Sequence, residues 1–226
     1  MSESETIRYR FDLPDGSQKL LDFHFGVADF RLANEAPTPA PFWTELKFNQ
    51  CANCPLNEAE HPHCPAALQM ASAIEPLKAL VSFDTVGVTV TQAERTIYAE
   101  TSAQQAMSSV LGLIMATAGC PWTDRFRPMA RFHLPFATEA ETVYRSVGMY
   151  LLAREFTGAN AQGFAALETL YENLHVVNRD MSRRLGAATR TDPARNAMAL
   201  LDAYTTLLPA ALESSLEELK PYFDAW

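Results

Sequence analysis

The spacing of hydrophobic residues changes along this chain, and that change limits the folds it can form. Near the start, in TIRYRFDL (residues 6–13), charged residues separate Ile7, Tyr9 and Phe11. Such alternation is typical of a β-strand with one buried face. PDGS supplies a turn, and KLLDFHFG and ADFRL predict an antiparallel continuation. The beginning of the chain therefore predicts an antiparallel sheet.

The middle of the chain mixes strand and helix signals. TELKFN predicts a short strand that leads into Cys51, and a helix is expected from Pro65 to Val81. TVGVTVTQ and RTIYAET, which follow, predict two more strands.

From residue 102 onward the spacing is helical. A first helix is expected up to a cap at Gly119, with a stripe of small residues that suits close packing. Thr138 and Glu141 form a capping box for a second helix that runs to Phe156.

The last part of the chain predicts further helices. An apolar stripe runs from Phe164 to Leu185, and Asp192-Pro193 and Pro209 each have the features of a helix start. The fold class is therefore α+β, with an N-terminal antiparallel sheet, a cysteine-rich insertion and a largely helical C-terminal half. We expect one domain over 1–226, with a β-rich part (1–50), a cysteine-site part (51–121) and a helical part (122–226).

Charge and hydropathy narrow the class of protein. The formal net charge is −9, which argues against nucleic acid or an anionic membrane as the main partner. The N-terminal residues contain no apolar signal segment, and no apolar run approaches the length of a membrane span. We therefore expect a cytoplasmic protein, whose cysteines would stay reduced rather than form disulfides.

The segment CANCPLNEAEHPHCPAAL, residues 51–68, contains three of the four cysteines. Cys51 and Cys54 have the spacing at which two thiolates can bind one metal ion, and Cys64 can supply a third. Cys120 is the remaining thiol, and His63 is an alternative fourth ligand. The sequence predicts a four-ligand site that holds zinc or a 4Fe-4S cluster, with Cys120 beside the other three.

Three of these cysteines precede proline, a pairing that recurs at iron–sulfur ligands. Zinc knuckles more often have glycine after the second cysteine, which is absent here. Other interpretations stay open. The cysteines could be buried thiols in a core, and Pro65 could follow Cys64 simply because it starts a helix. CANC could also be a thioredoxin-like motif, although a loop rather than a helix follows it.

A second candidate site is CPWTDRFRPMARFHLPF, residues 120–136, which interleaves basic and aromatic side chains. Its candidate anion-binding residues are Arg125, Arg127, Arg131 and His133. They could hold a small anionic ligand or an acidic protein partner. Alternatively, the arginines pair with the surplus carboxylates of the chain while the aromatic rings fill the core.

Catalytic signatures are missing: the chain has no phosphate-binding glycine loop, no HExxH and no nucleophile elbow. The sequence therefore predicts a metal-site protein that acts as a sensor, adaptor or scaffold without catalysis. The alternative is an iron–sulfur redox enzyme or electron carrier.

Three stretches carry a resemblance: FNQCANCPLNEAEHPHCPAALQM, QQAMSSVLGLIMATAGCP and RPMARFHLPFATEAETVYRSVGMYLLA. Over about residues 45–180 the chain resembles an uncharacterised family of bacterial cytoplasmic proteins. The resemblance implies that the four cysteines and the arginine segment belong to one core. It implies no activity, substrate or cofactor.

Overall fold

The structure, a computed structural model, describes residues 4–158, 163–188 and 193–224. A four-stranded antiparallel sheet precedes a helical C-terminal half, which confirms the predicted α+β class. The strands are β1 (Ser4–Asp12), β2 (Gln18–Gly26), β3 (Thr85–Thr91) and β4 (Thr96–Ser102). Their order in the sheet is β2-β1-β3-β4, so the two strands that follow the cysteine segment join the N-terminal hairpin.

One face of the sheet is buried, as the alternation predicts. Tyr9 of β1 lies opposite Leu21 of β2 and Val90 of β3, and all three side chains are buried. Charged residues occupy the other face, where Arg8 donates to Asp22. The sheet thus offers a single apolar surface to the helices.

Two predicted strands are wrong. ADFRL contributes only an isolated bridge between Leu32 and Phe25, and TELKFN contributes only one between Glu45 and His63. The reason in the second segment is a buried arginine: Arg184 donates to the backbone carbonyls of Trp43, Glu45 and Leu46. A side chain therefore satisfies carbonyls that a neighbouring strand would otherwise satisfy.

The helices are α1 (Pro65–Ile74), α2 (Ala103–Thr117), α3 (Arg127–Arg131), α4 (Glu139–Thr157), α5 (Ala165–Ala188) and α6 (Pro193–Leu219). The helix expected to reach Val81 ends early because Pro76 lacks the N–H that an α-helix needs, and a 3₁₀ turn (Glu75–Leu77) replaces its next turn. The start predicted at Pro209 is also wrong, since α6 passes through that residue. Asp192 lies outside the described residues.

The predicted capping box is present on α4: the Glu141 N–H donates to Oγ1 of Thr138, and the Glu141 carboxylate accepts from the Thr138 N–H. Gly158 then ends the helix in the left-handed conformation, with φ +66°. Both ends of α4 are therefore fixed by local hydrogen bonds.

Helix α2 lies at the centre of the fold. It packs against the sheet, α1 and α6, and α6 also packs along α5. Gly112 of α2 faces Leu201 of α6, so part of the predicted small-residue stripe does serve a close helix contact. Among the residues that the structure describes, no helix is both long and apolar enough to span a bilayer.

Candidate functional site

The first candidate site is the loop that contains Cys51 and Cys54. The Cys54 N–H donates to the Cys51 carbonyl at 3.0 Å, which closes a tight turn. Cys64 is the residue that precedes α1, and its N–H donates to the Thr44 carbonyl. Cys120 follows Gly119, which adopts φ +87° at the end of α2. All four cysteines are free thiols.

Helix α5 and the segment after α2 hold this loop in place. Asp180 accepts from the Ala52 N–H at 2.9 Å, and the Asn53 amide donates to the Asn173 carbonyl at 3.0 Å. The Trp122 indole N–H donates to the Asn53 carbonyl at 2.7 Å. Hydrogen bonds to α5 and to Trp122 therefore fix the position of this loop in the fold.

Burial determines the protonation of these thiols. It raises the pKa of Cys51 to about 12, and the charges of Cys64, Cys120, Cys54 and Asp180 add to that effect. Burial also raises the pKa of Cys64, although hydrogen bonds from the start of α1 and the charge of Arg184 oppose the change. Both residues are neutral thiols at neutral pH in the folded chain.

The predicted metal-site function is wrong. Within residues 4–158, 163–188 and 193–224, no three or more His, Cys, Asp or Glu residues form a group that could hold a metal ion. The cysteines instead behave as small hydrophobic residues: Cys64 belongs to the core, and the other three pack against it. His63 is engaged elsewhere, with Nδ1 2.8 Å from the Thr44 hydroxyl.

This finding overturns the sensor, adaptor or scaffold built on a four-cysteine metal site, and it equally overturns the iron–sulfur redox alternative. The spacing misled because cysteines also fill small gaps between helices and loops. Zinc or a 4Fe-4S cluster as the cofactor stays a prediction from the sequence.

The arginine segment does not form one positive patch. Arg127 pairs with Asp124 at 3.1 Å and donates to the Asp29 carbonyl, while Arg131 pairs with Glu5 at 3.0 Å. Their charges are therefore largely compensated within the fold.

Arg125 has a different environment. It is exposed and lies over the Trp122 ring, 5.1 Å from the ring centroid. Both residues border an apolar groove of about 530 Å³ between α4 and α5. Few polar groups converge there, so the groove has little chemistry with which to orient a ligand.

His133 is buried, and its Nε2 lies 2.5 Å from the Tyr9 hydroxyl. The Tyr9 hydroxyl also contacts Ser109, whose Oγ accepts from the Phe136 N–H. The Ser109 hydroxyl, the Tyr9 hydroxyl and Nε2 of His133 therefore form one buried hydrogen-bonded chain.

Burial keeps His133 neutral. It lowers the pKa of His133 to about 3, and the nearby positive charge of Arg145 lowers it further. A histidine with so low a pKa is a poor proton acceptor at neutral pH and is better suited to hydrogen bonding.

His133 borders a cavity of about 220 Å³, which we call the helical cavity. It is lined by α2, by α3 with the segment that follows it, and by α4, α5 and α6. Its apolar lining comes from several helices and includes Leu113, Ala116, Phe126, Met129, Leu174 and Leu201. Its polar lining includes Ser108, His133, Arg145, Tyr171, Asn178 and Thr205. An apolar cavity with a few convergent polar groups is the usual form of a small-molecule site.

Arg145 is the one arginine or lysine among the described residues that line the helical cavity. Its Nη2 donates to the carbonyls of Met129 (2.6 Å) and Phe132 (2.9 Å). No carboxylate lies within ion-pair distance of it in the described parts of the chain, although Glu141, one turn earlier on α4, is close enough for its charge to act on Arg145. Burial lowers the pKa of Arg145 from its ordinary value, but a guanidinium stays charged at neutral pH.

Sequence reasoning missed Tyr9 and Arg145 as site residues. For Tyr9 a signal exists: a tyrosine on the buried face of a strand needs a partner for its hydroxyl. Arg145 has none, because its spacing on α4 does not distinguish it from Arg154 on the same helix.

The family model described as Domain of unknown function (DUF6901) matches residues 7–224. The chain belongs to the DUF6901 family. The predicted resemblance to an uncharacterised family is confirmed at that level, while the bacterial origin stays a prediction. No curated protein and no solved structure matches the chain.

Proposed function

We propose that this DUF6901 protein binds a small molecule with a carboxylate and a short apolar body, and that the helical cavity is the binding site. The observation that carries the proposal is Arg145, a partly buried cation that lines an apolar cavity. No carboxylate lies at ion-pair distance from it among the described residues, and only the more distant Glu141 offsets its charge. A buried charge is stable only when an opposite charge or sufficient hydrogen bonds compensate it.

The donor inventory of Arg145 supports a carboxylate as the ligand group. A guanidinium has five N–H donors in a planar fork, and two backbone carbonyls accept from Nη2. The donors on Nε and Nη1 remain for a ligand, and a carboxylate matches two of them at once. Tyr171 and His133 lie near enough to share electrostatic interactions with Arg145.

The cavity supports a small ligand. Its volume of about 220 Å³ is below the roughly 300–1,000 Å³ of sites for drug-sized molecules. The apolar side chains of Phe126, Leu174 and Leu201 would cover the body of the ligand. This proposal keeps part of the sequence prediction of a small anionic ligand at the arginine segment. His133 lines the cavity, but Arg145 rather than Arg125, Arg127 or Arg131 is the arginine that would bind the anion.

The test is titration calorimetry with matched pairs of probes, benzoate against benzamide and hexanoate against hexanamide. Each pair has nearly the same shape, and only one member carries a charge. We expect the carboxylates to bind with Kd of ~0.1–1 mM and the amides at least ~10-fold more weakly.

Three variants complete the test. Arg145→Met should remove the preference for carboxylates, and Arg145→Lys should keep part of it because the charge remains. Arg95→Met is the control, since Arg95 is exposed in the β3–β4 turn. Absence of saturable binding by either class of probe, or equal preference in wild type and Arg145→Met, would contradict the proposal.

A further inference from the structure

The outward face of α4 carries four large apolar side chains although it is exposed, and the exposed Glu155 lies among them. Tyr144 is 57 % exposed, Leu152 56 % and Phe156 82 %, and Leu151 lies beside them at 46 %. The buried side of the same helix consists of Val143, Ser146 and Val147. A helix with apolar residues on both sides commonly has a second surface to pack against.

Gly148 lies in the middle of this face. A glycine inside a helix is destabilising, so it is usually explained by a close neighbour that leaves no room for a side chain. No heavy atom lies within 4 Å of the position that a Cβ would occupy at Gly148. Among the described residues, the chain itself therefore supplies no packing reason for this glycine.

We propose that the outward face of α4, formed by Tyr144, Gly148, Leu151, Leu152 and Phe156, is the interface of a homodimer. The face is self-complementary. When two copies of α4 pack antiparallel about a twofold axis near residue 150, Gly148 lies opposite Leu152 of the second copy, and Tyr144 lies opposite Phe156 of the second copy. A small residue opposite a large one lets the helices approach closely.

The area of the face suits a weak dimer. A fully covered aromatic side chain buries about 150–250 Å², so the exposed parts of Tyr144 and Phe156 in two copies offer ~400–700 Å². The two leucines of each copy bring the total towards ~1,000 Å², the lower limit for a specific interface. We therefore expect Kd in the micromolar range, about 10–100 µM.

The helix geometry keeps the ordering cost of association low. The capping box at Thr138 and the left-handed cap at Gly158 fix α4 as a helix over Glu139–Thr157 in the single chain. The face is thus formed before association, and neither copy needs to fold on binding.

Sedimentation equilibrium of the full chain over about 1–200 µM tests the proposal, since this range brackets the expected Kd. Wild type should show a reversible monomer–dimer equilibrium. Gly148→Arg should weaken dimerisation at least ~10-fold, while its thermal midpoint should not fall, because arginine favours the helix and has open space. Glu172→Arg, on the exposed side of α5, adds the same group elsewhere and should not change the equilibrium.

A photocrosslinking residue tests the orientation. Benzoylphenylalanine in place of Leu152 should crosslink to the region of Gly148 in the second copy, which mass spectrometry of the digested dimer identifies. A monomeric wild type over the whole range overturns the proposal. It is equally overturned by a Gly148→Arg variant that dimerises like wild type, or by crosslinks that map away from α4.

Discussion

The Tyr9 hydroxyl lies 2.5 Å from Nε2 of His133, and this contact joins the central strand β1 to the segment that follows α3. Both side chains are buried, and the two residues belong to opposite halves of the chain. Ser109 of α2 contacts the same hydroxyl, so the sheet, the central helix and one wall of the helical cavity share a hydrogen-bonded chain. Removal of any member should therefore affect more than its own element.

Tyr9→Phe should destabilise the protein by about 1–3 kcal/mol, because it leaves buried groups on His133 and Ser109 without a partner. Urea unfolding followed by circular dichroism measures the change. Tyr98→Phe is the matched control, since Tyr98 is exposed on β4 and should lose less than about 0.5 kcal/mol. Equal losses for the two variants would show that the Tyr9–His133 hydrogen bond contributes little.

The free energy of unfolding should decrease as pH is lowered, because His133 takes up a proton when the chain unfolds. Its pKa is about 3 in the folded chain, against an ordinary value of 6.5, because burial and then Arg145 disfavour the charged form. The unfolded chain thus binds more protons between these values. The stability that neutral His133 contributes is complete above pH 6.5. As pH falls from 6.5 towards 3, the free energy of unfolding decreases by up to about 1.4 kcal/mol per pH unit.

The measurement is the difference between wild type and His133→Asn in urea unfolding from pH 4.5 to pH 7.5. The destabilisation on acidification should be smaller in the variant, because asparagine does not titrate. His24→Asn, at an exposed position, should keep the wild-type slope. Parallel pH profiles for wild type and His133→Asn would contradict the assignment.

Arg184 is 1 % exposed and donates to three backbone carbonyls, with no carboxylate at ion-pair distance among the described residues. Arg184→Met should destabilise the fold by about 3–5 kcal/mol, because the carbonyls of Trp43, Glu45 and Leu46 lose their donor in the interior. Thermal and urea unfolding would both report it. Arg183→Met is a close control: this neighbouring residue is exposed and pairs with Asp180, so its loss should be below about 1 kcal/mol. A mild effect at Arg184 would mean that water replaces its hydrogen bonds.

Arg184 also explains what the sequence could not predict. The strands β1 and β3 follow from alternation, and the α4 capping box follows from Thr138 and Glu141, since each signal is local. The irregular path after Phe42 depends on a side chain about 140 positions later, and no local pattern reveals such a partner.

The helical cavity could not be predicted from the sequence for the same reason. Its polar groups come from α2, α4, α5, α6 and the segment that follows α3, and only the packing of these elements brings Arg145 near His133. The cysteine spacing was a local signal, but thiols that fill a core and thiols that bind metal can share one spacing. Local patterns therefore identified elements, whereas the site depended on tertiary contacts.

The two glycines of α4 should respond in opposite directions to the same substitution. Gly148 has helical geometry and open space around its Cβ position, so Gly148→Ala should stabilise the monomer by about 0.5–1 kcal/mol. Gly158 has φ +66° and its N–H donates to the last carbonyls of α4, so Gly158→Ala should destabilise it by about 1 kcal/mol, because a Cβ is strained in that conformation. Urea unfolding at about 1 µM protein, below the proposed dimer Kd, measures both changes without a contribution from association. A loss of stability in Gly148→Ala at that concentration would mean that the glycine serves a contact within the chain, and it would remove the reason to look for a second copy there.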